Sequence, residues 1–200
     1  MAKRNGRREA ELYGVAASLF NNQGYASTSV RQICRALGIR ESSLYHYVRS
    51  KEDLLYNICE RSLQHGLSLM APLAGLKMTA DLKLQKMIAA HISIISGTTN
   101  EQSTMLKELR SLSPENQRKI IKLRDKYQDL FRRAVADCIR GGFLPPNQAK
   151  ITTLALLGMM NWLIHWYSPN GPLKREKIAR IFSSLFLQKR PRVQAPSGKQ

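Results

Sequence analysis

The sequence contains few acidic residues: 14 Asp and Glu stand against 32 Lys and Arg, for a formal net charge of +18. It offers no pair of carboxylates spaced for acid-base catalysis, no cluster of metal-ligating residues and no glycine-rich phosphate loop after a strand. We therefore expect that the protein is not an enzyme and holds no cofactor and no metal.

Cysteine is also scarce. The three residues Cys34, Cys59 and Cys138 are widely spaced and form no C-x-x-C pair, which excludes a disulfide framework and a zinc site of the usual spacing. Each falls on a predicted apolar helix face, so we expect buried, inert thiols rather than redox sensors.

Long apolar runs are missing as well. The most apolar stretch, residues 151–167, includes Asn161 and His165 and is too short and too polar for a membrane span. Residues 1–12 are basic without an apolar run, which excludes a secretory signal. These features predict a cytoplasmic protein without a membrane partner.

No stretch alternates apolar and polar residues between turn signals, so strands are not expected. The patterns predict an all-α fold of about nine helices, with a long helix between a Ser113-Pro114 start and a Gly141-Gly142 end. The expected organisation is a three-helix domain over residues 1–50, a larger helical domain over 51–188, and a disordered basic tail over 189–200.

Residues 29–53 have the spacing of two short helices joined by a tight turn. The first helix has one apolar face, formed by Val30, Ile33, Cys34 and Leu37. Gly38 can adopt the left-handed conformation that ends a helix, and Leu44, Tyr47 and Val48 give a second, shorter apolar face. This pattern predicts a helix-turn-helix, whose second helix lies in the DNA major groove. The same hairpin occurs in proteins that do not bind DNA, so the spacing alone leaves the function open.

Charge favours DNA binding. The first 51 residues hold nine Lys and Arg against three acids, the surplus that phosphate contacts require. After the hairpin, Ser50 is the predicted N-cap of a longer helix, with Asp53 at the capping-box position.

The run LGIRESSLYHYVRSKEDLL, residues 37–55, resembles the recognition segment of the TetR-type transcriptional regulators. Residues 8–22, followed by Gln23-Gly24-Tyr25, are similar to that family's first helix. Arg40 stands where the family often has a helix-capping Ser or Thr. Its presence leaves open at which residue the second helix of the hairpin begins. A solvated surface position is the alternative to a phosphate contact for Arg40.

The resemblance implies that Arg31 and Ser43 contact bases and that Tyr45, His46 and Lys51 lie near phosphates. The chemistry agrees, because an Arg guanidinium can form two hydrogen bonds to guanine O6 and N7, and a Tyr hydroxyl or Lys ammonium can bind a phosphate oxygen. The predicted DNA-binding residues are Arg31, Arg40, Ser42, Ser43, Tyr45, His46 and Lys51.

Two apolar segments end the chain. Residues 148–167 are apolar on nearly all sides, and residues 174–187 carry one apolar stripe. A helix that is apolar all round must be covered, either within the monomer or, as the resemblance implies, by a second copy of the chain. A two-fold dimer would double the base contacts on a palindromic operator. The predicted interface residues are Ile178, Ile181, Phe182, Leu185 and Phe186.

Residues 161–173 (NWLIHWYSPNGPL) and 108–114 (ELRSLSP) resemble a TetR-type branch in which several members respond to acyl-coenzyme A thioesters. Such a thioester needs an apolar tunnel and cations for its phosphates. The predicted ligand-binding residues are Met105, Leu109, Arg110, Arg124, Tyr127, Trp162, His165 and Trp166. The core or the dimer interface is the favoured alternative for the two tryptophans, and a core position is favoured for His165.

The sequence therefore predicts a homodimeric transcriptional repressor that binds a palindromic operator in double-stranded DNA and is released by a small effector. The alternative is a basic DNA-binding protein, architectural or constitutive, without an effector. The basic charge beyond residue 51 is compatible with DNA, with an anionic ligand or with solubility alone.

Overall fold

The computed structural model describes residues 2–97, 99–146 and 148–187. Within these ranges the chain is helical and has no β-strand, which confirms the all-α prediction. The predicted disordered tail, residues 189–200, lies outside the described residues. The helices are α1 (Ala2–Gln23), α2 (Val30–Leu37), α3 (Glu41–Leu44), α4 (Lys51–Gly75), α5 (Ala80–Gly97), α6 (Thr99–Glu108), α7 (Pro114–Arg140), α8 (Ala149–Asn161), α9 (Leu163–Trp166) and α10 (Arg175–Phe186), with a 3-10 turn at Leu109–Ser111 between α6 and α7.

Local signals in the sequence set the starts of the two longest helices. The Ser50 hydroxyl accepts the Asp53 N–H at 3.0 Å and begins α4. The Ser113 hydroxyl accepts the Asn116 N–H at 3.4 Å, with Pro114 at the first position of α7. Both predicted N-caps are confirmed. At about 1.5 Å per residue, α7 spans roughly 40 Å and reaches from one end of the molecule to the other.

Two helices differ from their predicted bounds. The apolar segment 148–167 is divided at Trp162, because the His165 N–H bonds the Trp162 carbonyl three residues back and tightens the turn between α8 and α9. The breaks at Pro72 and Gly75 in the sequence predict that the helix beginning at Lys51 ends at about Met70, but α4 contains Pro72 and continues to Gly75. Leu73 packs against the body of the protein in this last turn and keeps it helical.

The buried residues form two apolar cores. The N-terminal core joins α1, α2 and α3 to the first half of α4, and it also takes Met105, Leu112 and Ile120 from α6, α7 and the segment between them. The C-terminal core joins the second half of α4 to α5, the rest of α7, α8, α9 and α10. Helices α4 and α7 enter both cores and join them as continuous helices.

Cys34, Cys59 and Cys138 are free and buried, as predicted. Burial raises the pKa of the Cys59 and Cys138 thiols to about 12, so neither ionises near neutral pH. In the described part of the chain, no cluster of three or more His, Cys, Asp or Glu side chains is placed to bind a metal ion. No helix within the same ranges has the length and apolar character that crossing a membrane requires.

Candidate nucleic-acid interface and ligand cavity

Helices α2 and α3 form the predicted helix-turn-helix. The Ser29 hydroxyl accepts the Gln32 N–H at 3.2 Å, and the Gln32 side chain accepts the Ser29 N–H at 2.7 Å, which completes a capping box at the start of α2. Gly38 has φ of +65° and ends α2 in the left-handed conformation that favours glycine. Leu44 and Val48 are fully buried in the N-terminal core and fix the orientation of α3. Between them, Tyr45 and His46 are exposed, whereas Tyr47 packs against the same core.

The predicted DNA-binding residues lie mostly on this outward surface. Arg31, Arg40, Ser42, Tyr45 and His46 are exposed, and Ser43 is half-buried. Half of the Tyr45 surface is accessible to solvent. Among the described residues, no side-chain hydrogen bond caps α3 at Arg40, as expected where the family's Ser or Thr is replaced.

Lys51 has a structural role that the sequence did not reveal. Its ammonium donates to the carbonyls of Tyr25 at 3.0 Å and Thr28 at 2.9 Å, and it lies 4.2 Å from the centroid of the Tyr25 ring. These contacts join the start of α4 to the connection between α1 and α2. Two of the three ammonium protons are used in this way, so a phosphate contact would use the third.

A cavity of about 70 Å³ lies between α4, α5, α6, α7 and the end of α8. Its wall is apolar on several sides and also carries polar side chains from each of these helices. Ligand pockets usually occupy about 300 to 1,000 Å³, so the cavity in this conformation encloses only a short chemical group. The residues that line it are Ser62, Leu63, Gly66, His91, Ile94, Ile95, Gln102, Met105, Leu106, Arg124, Tyr127, Gln128, Leu157 and Asn161.

Three of the predicted ligand-binding residues, Met105, Arg124 and Tyr127, meet at this cavity, and the other five do not line it. Leu109 packs against the N-terminal core, and Arg110 is exposed. Trp162, His165 and Trp166 are exposed on the outer surface, with Trp162 62% accessible. The structure places these five residues outside the cavity wall, and their part in ligand binding stays a prediction.

His91 and Asn161 belong to the cavity wall and were missed from the sequence. The Tyr127 hydroxyl donates to His91 Nδ1 at 2.7 Å, and His91 Nε2 donates to Asn161 Oδ1 at 3.1 Å. This assignment follows because a carbonyl oxygen can only accept, so Nε2 carries the ring proton. Burial lowers the pKa of His91 to about 4 and raises that of Tyr127 well above its usual range. The hydrogen-bonded chain of Tyr127, His91 and Asn161 therefore carries no charge near pH 7. In the sequence, this hydrogen-bonded chain is indicated by a lone histidine in the apolar pattern of α5.

Helix α6 lies between the cavity and the helix-turn-helix domain. One side of it lines the cavity. On the other side, the Thr104 hydroxyl donates to the Ala17 carbonyl at 3.0 Å, and Glu108 Oε1 accepts the Tyr25 N–H at 3.2 Å. The same helix therefore contacts both the cavity and the helix-turn-helix domain.

A second connection joins α4 to α7. Glu52 Oε1 accepts the Ser113 N–H and the Asn116 side-chain N–H, both at 2.9 Å. These hydrogen bonds lower the pKa of Glu52. The Glu52 carboxylate holds the first turn of α4, which follows α3 in the chain, against the N-terminus of α7.

Helices α8 and α10 carry an exposed apolar surface. Ile151 and Leu154 on α8 and Trp162 directly after it, with Ile181 and Leu185 on α10, are each between 43% and 67% accessible. The other predicted interface residues are not part of it. Ile178 is only 2% exposed, and Phe182 and Phe186 pack against the C-terminal core. The surface of Ile178 is covered within one chain, and the interface role of these residues stays a prediction.

Two family models match the chain. The model for bacterial regulatory proteins of the tetR family matches residues 12–58, and the model for tetracyclin repressor-like C-terminal domains matches residues 77–189. The HTH-type transcriptional repressor KstR2 of Mycolicibacterium smegmatis (strain ATCC 700084 / mc(2)155) is 26% identical over 189 residues, which cover 90% of this chain and 89% of that protein.

Solved structures agree. PfmR, a TetR family transcriptional regulator from Thermus thermophilus, is 31% identical with a TM-score of 0.82, over 90% of this chain and 99% of that chain. AibR, solved in complex with isovaleryl coenzyme A and operator DNA, has the same TM-score at 24% identity, over 90% and 97% of the two chains, a likeness that shows the fold. The chain belongs to the tetR family of bacterial regulatory proteins.

Proposed function

We propose that the protein is a homodimeric repressor that binds a palindromic operator through α2 and α3 and is released when an acyl-coenzyme A thioester enters the cavity. The observation that carries this proposal is the position of α6. This helix supplies Gln102, Met105 and Leu106 to the cavity wall and, through Thr104 and Glu108, hydrogen bonds to the helix-turn-helix domain.

DNA binding is supported by the exposed side chains of α2 and α3. Arg31 on α2 and Tyr45 after α3 are exposed on the same side of a hairpin whose apolar residues are buried. An arginine can bind guanine O6 and N7 together, and a tyrosine hydroxyl can bind a phosphate oxygen.

Dimerisation is supported by the exposed apolar surface of α8 and α10. Contiguous exposed apolar residues on a monomer usually mark an interaction site. A groove of about 760 Å³ beside this surface, lined in part by Ile151, Ala155 and Leu185, offers a place for side chains of a second copy. A two-fold pair would present two reading helices to the two halves of a palindrome.

The effector class is supported by the apolar wall of the cavity and by the likeness to AibR, which was solved with isovaleryl coenzyme A. A cavity of about 70 Å³ encloses a short acyl group, and the coenzyme A moiety would remain outside it. Entry of a longer acyl group requires α6 or its neighbours to move. Such a movement would lower operator affinity by a coupling free energy of typically about 1 to 3 kcal/mol.

The DNA-binding part is tested by selecting operator fragments from random DNA with the purified protein. We expect a palindromic site that binds at least about 1,000-fold more tightly than random DNA in moderate salt. Arg31→Ala should weaken that site by about 1 to 3 kcal/mol and relax its base preference. Arg133→Ala, at an exposed arginine of α7, is the matched control and should preserve the preference. Binding to random and selected DNA with equal affinity would support the alternative of a basic DNA-binding protein.

The dimer is tested by sedimentation equilibrium of Leu185→Glu. Leu185 is 67% exposed within one chain, so the charge does not enter the monomer core and should separate the dimer. Leu82→Glu is the matched control, because Leu82 is a similarly exposed leucine on α5. If Leu185→Glu remains a dimer, the α8 and α10 surface is not the interface.

Effector release is tested with isovaleryl coenzyme A as the probe and free coenzyme A as its control. Fluorescence anisotropy of labelled operator should show release by the thioester alone. Thr104→Val removes the hydroxyl that reaches α1 without changing the size of the side chain, and it should reduce release at an unchanged thioester affinity. Release that does not depend on Thr104 would count against α6 as the connection.

A further inference from the structure

Two side-chain atoms in the cavity wall have no hydrogen-bond partner among the described residues. Ser62 Oγ on α4 and Arg124 Nε on α7 are both buried, and both residues line the cavity. In the described part of the chain the one further buried polar side-chain atom without such a partner is Asp81 Oδ1, which lies outside the cavity. A buried polar group almost always has a partner, since leaving it unpaired costs about 1 to 3 kcal/mol. Two donors from different helices in one small cavity indicate a shared acceptor.

The charge of the wall specifies what kind of acceptor fits. Among the described residues no Asp or Glu lines the cavity, and the guanidinium of Arg124 is its one ionised group. His91 is neutral, and its two ring nitrogens are already used by Tyr127 and Asn161. The interior therefore carries a positive potential without a counter-charge, which favours an oxygen with partial or full negative charge.

The rest of the wall limits the size of the group. Leu63, Ile95 and Leu157 make it apolar around the two donors. The volume of about 70 Å³ corresponds to roughly two waters' share of liquid volume. A short carbon chain that ends in or carries an oxygen fits this space better than a long saturated chain.

We propose that the acyl group of the effector carries a keto or carboxylate oxygen that accepts hydrogen bonds from Ser62 Oγ–H and Arg124 Nε–H. This inference rests on the proposed effector role of the cavity and deepens it. It assigns specificity for an oxygen-substituted acyl group over the plain acyl group of the same length.

The test compares two thioesters with four-carbon acyl groups, butyryl coenzyme A and acetoacetyl coenzyme A. Both have the thioester carbonyl, and only the second has the additional keto oxygen. Isothermal titration calorimetry of the full chain should show that acetoacetyl coenzyme A binds about tenfold or more tightly, as expected for hydrogen bonds that include a charged donor. It should release operator at correspondingly lower concentration.

Variants identify the two donors. Ser62→Ala removes the hydroxyl, and Arg124→Lys keeps the charge while removing the Nε–H. Each should bring the affinities of the two thioesters to within a few-fold of each other. Ser183→Ala, at a buried serine of α10 outside the cavity, is the control and should leave their ratio unchanged. Because Ser62 Oγ has no protein partner to lose among the described residues, and an unpaired buried hydroxyl is destabilising, Ser62→Ala should keep or raise the thermal midpoint of the wild type.

The outcomes separate this inference from the proposed function. Equal binding of the two thioesters, with release of operator by both, would overturn the oxygen preference and leave the effector role standing. A preference that survives in both Ser62→Ala and Arg124→Lys would also overturn it. If neither thioester binds a protein that does bind its operator, the thioester effector role fails and the inference fails with it.

Discussion

Acidification from about pH 7.5 to about pH 4.5 should destabilise the protein through one buried side chain, His91. Burial lowers its pKa from 6.5 to about 4, so the unfolded chain takes up a proton at a higher pH than the folded chain does. The stability that a neutral His91 contributes is complete above about pH 6.5 and is lost as the pH falls towards 4. For pKa values about 2.5 units apart, the loss by pH 4.5 is about 2 to 3 kcal/mol.

Urea unfolding followed by circular dichroism measures this loss. The wild type and His91→Gln are compared at both pH values, because the carboxylates that also titrate in this range, such as Glu52, are present in both proteins. The wild type should lose about 2 to 3 kcal/mol more than the variant. Equal losses, within the error of linear extrapolation, would refute the reasoning. An NMR titration of the His91 ring in the wild type gives the same pKa directly and does not depend on the variant folding.

Three further outcomes are expected from the hydrogen bonds. Tyr127→Phe should lower the free energy of unfolding by about 1 to 3 kcal/mol, because it leaves a buried nitrogen of His91 unpaired; Tyr56→Phe, whose hydroxyl bonds a part-buried Glu at 2.8 Å, should cost less in the same urea assay. Lys51→Met should lower the thermal midpoint and weaken operator binding in anisotropy measurements, because two carbonyls of the α1–α2 connection lose their donor. Glu52→Gln should preserve the fold at neutral pH and reduce the loss of stability on acidification, since the hydrogen bonds that lower the pKa of this carboxyl stabilise its ionised form, and that stabilisation is lost as the pH falls through the folded-state pKa. Equal acid sensitivity of wild type and Glu52→Gln would contradict that assignment.

The helix-turn-helix could be predicted from the sequence because its determinants are local. Gly38, Ser50 and Ser113 each act within four residues of their own position, through a left-handed turn or a side-chain cap. The apolar spacing around Ile33 and Leu44 then determines which side of the hairpin is buried. Such local signals can be identified from the sequence without knowledge of the tertiary structure.

The cavity could not be predicted in the same way, because it forms where five helices meet. Met105, Arg124 and Tyr127 were found from composition and position, whereas His91 acquires its role only through partners 36 and 70 residues away in the chain. Trp162 shows the same limit. Its apolar surroundings in the sequence were compatible with the core, a dimer interface or a ligand contact, and only the structure places it on the outer surface of one chain.

Under the proposed effector role, helix α6 has a consequence for how the response to a ligand can change. Neighbouring positions of its ten residues have different partners. Gln102 meets the cavity, Met105 meets both the cavity and the N-terminal core, and Ser103 and Thr104 bond α1. Substitutions on the cavity side can alter which molecule is recognised and leave the strength of the response intact. Substitutions on the α1 side can alter how strongly recognition affects DNA binding and leave the choice of molecule intact. The choice of ligand and the strength of its effect on DNA binding can therefore be adjusted at different positions within less than about three turns of helix.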